Sequence, residues 1–557
     1  MTGSRTRWTL CAGALVAAAC GGGSEPTQPT GVDCSAVSPT SLAVGASTVL
    51  DASQTACVRF PAPGGVETEH LYVALATEGR QTTNGITATF DLEGGTGAMA
   101  SVASPGGALF DQAPTAATSF HDRLRARERN LSEHPPAAAR SRISASLAPT
   151  PPVVGSKRTF DVCATTTCDS FVQSHATAKV VAQRVAIFVD DSAPAGGYTQ
   201  TDLDQVGALF DSHLYPIDTV AFGRESDLDD NGVVVVLLTP RVNELSPNCN
   251  SANSVILGYF FGLDLLPSQT HSNDGEIFYG VTPGSATPGC TISTAFAKGN
   301  LPSVFVHEFQ HMISFNQHVL VRQGTTEDTW LNEGLSHFAE ELAGRQVPDS
   351  FCPDFDNDCG SQFVGGNLND AFMYLEDPEA HFAIEPASSG GTLEERGANW
   401  LFIRWLADHF AVTEPLGTEL TRAMVQTSLN GGANVAAVTG EDLSTLLSQW
   451  QMANYLDNLP GFTPASDRLQ YSSFDFRTVF RLNFESGVFD KAYPLTPDST
   501  RTGNYSHSGV LRGGSGKHLR IIQPAGSGEV SLVLSAPGGN APVPTSVKPR
   551  IAIVRVR

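Results

Sequence analysis

Hydrophobic and polar residues follow two different periods along this chain, and the changes of period divide it into regions. In residues 31–112 and 463–557, short apolar runs alternate with polar positions and are separated by glycine and proline. This pattern is typical of strands joined by turns, so each region is predicted to form a β-sandwich domain. In residues 347–462 the apolar positions recur at i, i+3 and i+4, which predicts a helical subdomain. The pattern therefore predicts a multidomain α+β protein.

The central region, residues 156–346, contains both patterns. Runs rich in β-branched and aromatic residues at 185–189, 233–239 and 254–261 predict strands, and a helical pattern at 201–214 lies between the first two. Two further helical patterns close the region. We predict that the strands form one sheet that covers these two helices.

The segment between the first two regions, residues 113–155, has a different composition. A charged helical stretch at 120–131 is followed by two prolines and then by Arg140 and Arg142. A simple linker and the end of a propeptide cleaved at the basic residues both fit this composition. The sequence leaves these two interpretations open.

Residues 1–20 have the composition of an export signal. Two arginines precede an apolar stretch that is too short to span a bilayer, and three alanines precede Cys20. The lipobox is weak because Ala17 replaces the usual leucine. We predict a bacterial cell-envelope lipoprotein, on the outer membrane or the surface, that is anchored through Cys20, with residues 21–30 as a flexible tether. Secretion after cleavage near Ala19 is the alternative.

Cysteine usage agrees with export. No C-x-x-C motif is present, so disulfide bonds are a simpler explanation than a zinc ribbon. Spacing does not fix the connectivity, but Cys163 with Cys168, and Cys352 with Cys359, are close enough to be natural pairs. The remaining cysteines outside the predicted signal and anchor are Cys34, Cys57, Cys249 and Cys290.

The charge of the chain limits its partners. The formal net charge is -23 and the isoelectric point is about 4.9, which argues against nucleic acid or anionic lipid as a partner. After the signal, no segment has eighteen uninterrupted apolar residues, so no further membrane span is predicted.

The strongest chemical motif is H-E-x-x-H at His307, Glu308 and His311, in a helix predicted over residues 302–317 with its proline in the first turn. Histidines at i and i+4 point the same way and can bind one metal ion, while Glu308 lies about 100° round the helix. A catalytic zinc has three protein ligands. Glu333, 22 residues after His311 and on a second predicted helix, can supply the third.

A competing ligand set can be excluded from the spacing. Metzincins need H-E-x-x-H-x-x-G-x-x-H, but Ser314 stands in the glycine position and Gln317 in the position of the third histidine. His318 is one place too late, and we interpret it as a helix-end histidine near the C-terminal dipole. The arrangement with Glu333 is therefore favoured.

These residues resemble a known family. The H-E-x-x-H motif with WLNEGLS at 330–336 resembles the gluzincin pattern H-E-x-x-H…N-E, and the string HEFQHMISFN…WLNEGLSHFAEEL is most similar to the hyicolysin family of secreted bacterial zinc metallopeptidases. The resemblance is close over residues 300–345 and looser over 397–408. It implies a gluzincin-type core, made of a sheet and the H-E-x-x-H helix followed by a helical subdomain. It also implies that zinc is bound by His307, His311 and Glu333, and that Glu308 is the catalytic base.

The predicted function is therefore that of an exported zinc metallopeptidase, an endopeptidase, in which a zinc-activated water hydrolyses peptide bonds with Glu308 as general base. Two other function classes stay open. One is a cell-surface binding or adhesion lipoprotein with an inactive protease-like core, and the other is a non-peptide zinc hydrolase. An inactive core would usually have lost Glu308 or a ligand, and this chain keeps all four residues.

An acidic loop is a candidate site for a second metal ion. Asp227, Asp229, Asn231 and Gly232 match the opening of an EF-hand calcium loop, but Leu238 replaces the glutamate of position twelve. A calcium site and a simple turn that leads into a buried strand are both open interpretations.

The sequence also offers candidates for supporting roles around the metal. His337, Tyr279 and Tyr374 are candidates for a second donor to a tetrahedral oxyanion, although no spacing selects one of them. By likeness to gluzincins, residues 273–280 are predicted to contain the edge strand that pairs with substrate. Two acidic residues of the second helix are predicted to be solvated charges: Glu340 and Glu341.

Overall fold

The structure is a computed structural model that describes residues 34–54, 56–96, 116–133, 149–246, 255–267, 269–287, 290–346, 360–412 and 416–557. The predicted signal, the tether and the Cys20 anchor lie outside the described residues, as do Cys249, Cys352, Cys359 and the side chain of Cys290. Within the described residues, no helix is both long enough and apolar enough to cross a membrane.

The described residues contain strands from both ends and the middle of the chain. They are β1 (Ser47–Asp51), β2 (Cys57–Phe60), β3 (Thr68–Ala76), β4 (Thr87–Thr96), β5 (Lys157–Cys163), β6 (Phe171–Val181), β7 (Val185–Asp190), β8 (Val234–Leu238), β9 (Gly258–Phe260), β10 (Ile277–Gly280), β11 (Gly284–Thr287), β12 (Cys290–Ile292), β13 (Asp498–Thr500), β14 (Tyr505–Arg512), β15 (Gly516–Gln523), β16 (Val530–Ser535) and β17 (Pro549–Arg555).

The helices lie mostly between the two sets of terminal strands. They are α1 (Ala116–Glu133), α2 (Gln200–Leu209), α3 (Tyr215–Ala221), α4 (Pro240–Glu244), α5 (Thr294–Phe315), α6 (Thr329–Gln346), α7 (Gly360–Glu376), α8 (Leu393–Phe410), α9 (Thr418–Val425), α10 (Gly431–Thr439), α11 (Leu443–Leu456) and α12 (Phe476–Glu485). The chain is thus a mixed α+β protein with several sheets, which is compatible with the predicted multidomain fold.

The two terminal β regions share one sandwich. One sheet has the order β1-β17-β3-β15-β13 and the other the order β14-β4-β16-β2, so both sheets pair N-terminal strands with C-terminal strands. The expectation of two separate sandwiches is therefore corrected. Alternating polarity identifies a strand and its buried face, but it carries no information about the partner strand. Cys34 and Cys57 form one disulfide, and the predicted pair Cys163–Cys168 forms another.

The central sheet has six strands in the order β5-β6-β7-β8-β10-β9. β10 pairs in parallel with β8 and antiparallel with β9, so it lies inside the sheet. The prediction that residues 273–280 contain the edge strand is therefore wrong, and β9 takes that place. The pattern at 254–261 predicted a strand that contains β9, but it carries no information about the order of the strands in the sheet.

α5 packs on this sheet and contains the H-E-x-x-H motif, and α6 packs against α5 and contains the second motif. α5 begins at Thr294, where Ser293 caps its first turn, so Pro302 lies inside the helix and not in the predicted first turn. Helical backbone continues past Phe315 as a wider turn over Asn316–Val321. Aromatic and aliphatic residues of α5, α6 and α8 share one apolar core with residues of β3.

Close contact between α6 and α8 depends on small residues. A Cβ atom built on Gly334 would lie 3.0 Å from the carbonyl oxygen of Asn399, and one on Gly397 would lie 2.2 Å from the carbonyl carbon of Asp370 in α7. Glycine at these two positions lets the backbones approach. The approach at Gly334 brings the side chains of α8 next to its neighbour Glu333.

Candidate metal centre

The structure brings His307, His311 and Glu333 together between α5 and α6. The Nε2 atoms of the two histidines are 3.2 Å apart. Oε2 of Glu333 lies 3.4 Å from Nε2 of His307, and Oε1 of the same carboxylate lies 3.5 Å from Nε2 of His311. The helical spacing of i and i+4 produces the first contact, and the antiparallel return of α6 produces the other two.

These three residues fit a divalent metal ion. Their donor atoms lie within 4.8 Å of one another, and all three residues are buried. Oε1 of Glu333 is buried and accepts no hydrogen bond in the described structure. A buried carboxylate oxygen without a donor is costly, and a metal ion would remove that cost. Two imidazoles and one carboxylate are ligands that zinc commonly takes in catalytic sites.

Side chains of α6 contact both histidine rings. Nδ1 of His307 is 2.7 Å from Oε1 of Glu340, and the hydroxyl oxygen of Ser336 lies 3.1 Å from Nδ1 and 3.3 Å from Nε2 of His311. The bond to Glu340 fixes the orientation of the His307 ring and leaves its Nε2 facing the centre. The prediction that Glu340 is a solvated charge is therefore wrong.

The partner of Glu333 comes from α8. Nη1 of Arg396 donates to Oε2 of Glu333 at 2.6 Å, and the same guanidinium lies 3.5 Å from Asp122 of α1. Burial would raise the pKa of Glu333, but the charge of Arg396 and the contacts with the two histidines hold that pKa well below its ordinary value. The carboxyl group is therefore ionised and ready to bind a cation.

The two histidines differ in charge. Burial lowers the pKa of both, but hydrogen bonds with Glu333 and Glu340 outweigh it in His307 and raise its pKa to about 10. In His311, burial and the charge of Arg125 lower the pKa to about 3. His311 is therefore neutral near pH 7, whereas a metal would have to displace a proton from His307.

Glu308 follows His307 in α5 and is not among the three converging donors. Its Oε2 accepts a hydrogen bond from the backbone N–H of Phe260 in β9 at 2.9 Å. Its side chain is only 1% exposed. Burial raises its pKa, although Arg125 and His307 act in the opposite direction. A carboxyl group with a raised pKa is suited to accept a proton and return it.

The helix predicted at residues 120–131 is present as α1, and it covers Glu308. Nδ1 of His121 is 3.4 Å from Oε1 of Glu308, and Arg125 is 3.9 Å from Oε2. Burial, with the charges of Arg396 and Arg125, holds the pKa of His121 well below its usual value. The segment interpreted as a linker or propeptide end therefore contributes directly to the candidate centre.

The candidates for a second donor have different surroundings. The ring of His337 lies 4.8 Å from that of His307, between centroids, so it is next to the centre. The hydroxyl group of Tyr279 donates to Asp264, and that of Tyr374 is bonded to Ser515 and Gln451. The two tyrosines are thus engaged elsewhere.

One further prediction about a single residue was wrong. Glu341 is completely buried, where it accepts hydrogen bonds from Trp400 and Arg404, and is not a solvated charge. His318 lies in the last turn of the helical segment that extends α5, as expected for a helix-end histidine, and it is fully buried, 3.8 Å from Glu327. Both belong to the interior because α8 and the loop before α6 cover these faces.

The residues that support the centre were not found from the sequence. Glu340 follows Glu333 by seven residues, two helical turns, so its place on the same face of α6 was a readable signal. Arg396 and α1 gave no such signal, because they reach the centre from distant parts of the chain.

Comparison with known proteins gives one informative match. No family model matches this sequence. The chain is 30% identical over 146 residues to the neutral metalloprotease ShpI of Staphylococcus hyicus, a match that covers 26% of this chain and 31% of that protein. The chain thus spans about a third of the length of the relative it matches. This partial similarity supports a relationship to metallopeptidases.

Proposed function

We propose that this protein is a zinc metallopeptidase with a gluzincin-type centre, related to the hyicolysin family, that hydrolyses peptide bonds. The observation that carries the proposal is the convergence of His307, His311 and Glu333, with contacts of 3.2 to 3.5 Å, beside the buried Glu308. The similarity to a neutral metalloprotease agrees with it.

In this proposal His307, His311 and Glu333 hold the ion. A zinc ion held there supplies Lewis-acid chemistry, by lowering the pKa of water and polarising a carbonyl group. Glu308 accepts the proton that the attacking water loses and transfers it to the nitrogen of the leaving amine. Arg396 keeps Glu333 ionised, and Glu340 orients the imidazole of His307.

The cellular setting is part of the same proposal. The composition of residues 1–20 supports export, with lipid attachment at Cys20 or secretion as the two forms. The disulfides Cys34–Cys57 and Cys163–Cys168 suit an oxidising compartment. The substrate is then a peptide or protein outside the cytoplasm.

The test is a digest of a peptide library by the full chain purified from an exporting host. We expect defined cleavage products, their loss after treatment with a zinc chelator, and their return when zinc is added back. Absence of peptide products from zinc-loaded protein would contradict the proposal. The remaining functions would then be the adhesion protein and, if a zinc-dependent activity on another bond were found, the non-peptide hydrolase.

A further inference from the structure

A second cluster of acidic groups lies at the end of the central sheet where β8 and β10 begin. Because β8 and β10 are parallel neighbours, the loop before β8 and the residue before β10 come together at this end of the sheet. One carboxylate oxygen each from Asp227, Asp229 and Glu276 lies within 4.8 Å of the others. The two aspartates are exposed, so the cluster is open to solvent.

Glu276 is the unusual member of this cluster. The residue is only 1% exposed, and its Oε1 accepts hydrogen bonds from the Ser226 hydroxyl group and from the Leu228 N–H. Its Oε2 is buried without any hydrogen-bond partner. A buried carboxylate that faces two other carboxylates and keeps one oxygen free is costly, and a cation at this point would remove that cost.

The loop is already folded around the cluster. The N–H of Gly232 donates to Oδ1 of Asp227 at 2.9 Å, and Asn231 donates through its side-chain amide to Asp229 at 2.7 Å. Asn231 therefore presents its amide nitrogen, not its oxygen, to the cluster. One cation of the chain is present: Nη1 of Arg158 lies 3.5 Å from Asp229 and balances part of the charge.

We propose that Asp227, Asp229 and Glu276 form a calcium site, in which Glu276 supplies the carboxylate that the loop itself lacks at Leu238. Three carboxylates without nitrogen or sulfur donors are hard ligands, which calcium prefers. Calcium also accepts the irregular geometry of a loop and a strand better than magnesium does. The ion joins the loop before β8 to the start of β10.

The test is a calcium titration of the metal-free full chain, followed by calorimetry and by thermal denaturation. We expect one calcium ion per chain and a rise in Tm of roughly 5 °C at saturation. Glu276→Gln should weaken binding about tenfold or more, since it removes a charged ligand. Asp230→Asn is the matched control, because it removes the same charge from the same loop outside the cluster, and it should bind as wild type does.

Two results would overturn the calcium site: no binding up to the millimolar range, or equal losses in Glu276→Gln and Asp230→Asn. If Glu276→Gln does not fold, Asp229→Asn provides the same comparison. Glu333→Gln must keep the calcium response, because the site does not use that residue; loss of the response in this variant would also overturn the proposal.

A different observation concerns access to the centre that contains Glu308. Three contacts fix α1 along the edge strand β9 and the turn that follows it. Arg125 donates to the carbonyl oxygen of Phe260 at 2.8 Å, and Glu128 accepts from the N–H of Gly262 at 2.6 Å. The ring of Phe120 packs on that of Tyr259. An extended peptide that adds to a sheet edge needs those backbone groups. Phe260 has none to spare, because its N–H donates to Glu308.

We infer that α1 is an intramolecular inhibitor that lies over the edge strand β9 and slows the access of substrate without preventing it. The inference rests on the proposed function, but the shielding itself can be measured separately. The variant Phe120→Ala/Arg125→Ala should loosen α1, and Arg123→Ala is the control, because Arg123 lies on the same helix and is bonded to Thr166 at the surface.

Two rates distinguish the outcomes. In zinc-loaded protein, a chelator should remove the metal several-fold faster from the double variant than from wild type and Arg123→Ala, and the double variant should cleave peptides faster. Unchanged metal removal would overturn the shielding role, as would slower cleavage, which would make α1 a part of the working site. Faster removal without cleavage by any form would uphold the shielding and reject the peptidase.

Discussion

Two buried glutamates, six residues apart, have opposite charge states. Glu333 in α6 is fully buried, and contacts with Arg396 and two histidines hold its pKa well below the ordinary value although burial acts to raise it. Glu327 just before α6 is 2% exposed, and burial with the nearby Asp328 raises its pKa to about 8, although N–H groups donate to it. The same residue type in neighbouring positions is ionised in one case and protonated in the other.

The difference shows what a buried carboxylate needs before it can bind a metal. Burial alone favours the neutral form, and hydrogen bonds from amides do not reverse this around Glu327. Around Glu333 a guanidinium from α8 does reverse it. An ionised oxygen next to two imidazoles is therefore prepared by a side chain that is distant in sequence.

The largest expected effect separates proton transfer from metal binding. Glu308 is a third buried glutamate, and Glu308→Gln keeps the size of its side chain but removes its ability to accept a proton. We expect cleavage to fall by about 10²- to 10⁴-fold, because positioned general bases contribute this much. Zinc content should be unchanged, since Glu308 is not among the three converging donors. Steady-state kinetics with a cleaved peptide and elemental analysis check the two parts, and activity like that of wild type would remove Glu308 from its role.

The next variant tests the cation beside Glu333. Arg396→Met should destabilise the metal-free protein by about 3–5 kcal/mol, because it leaves the carboxylate buried without its partner. Arg481→Met is the control, since Arg481 forms an exposed pair with Glu485, and its cost should stay below about 0.5 kcal/mol. Denaturant unfolding measures both, and equal effects would show that the buried pair has no special importance.

A smaller effect is expected from the group behind the first histidine. Glu340→Gln weakens the hold on Nδ1 of His307 while leaving the three donors in place. Metal affinity should fall by about 10- to 100-fold, which is usual for such supporting carboxylates. Competition with a chromogenic chelator gives the dissociation constant. Wild-type affinity in this variant would mean that packing alone orients the ring.

Per pH unit, the smallest effect is the change that Glu327 makes to stability. Its pKa is raised by folding, so its contribution to stability is complete below about pH 4.5 and decreases as the pH rises towards 8. The decrease is at most about 1.4 kcal/mol per pH unit. Glu327→Gln, which cannot lose a proton, should give a flatter profile of unfolding free energy between about pH 5 and pH 8. Parallel profiles for the two proteins would contradict the raised pKa.

Local spacing predicted the parts of the centre that one helix can build. His307, His311 and the neighbouring Glu308 follow from helical geometry, and the apolar stripe of the second helix pointed to Glu333. Arg396 could not be predicted, because its approach depends on how α8 packs at Gly334. Local pattern also identified both terminal regions as β, but not that β3 pairs with β15 and β17 from the other end of the chain.

The most direct test of the central claim is the metal content of three purified proteins: wild type, Glu333→Gln and Glu327→Gln. The account predicts about one tightly bound zinc ion per chain in wild type and in Glu327→Gln, and almost none in Glu333→Gln. Zinc at the wild-type level in Glu333→Gln would contradict it.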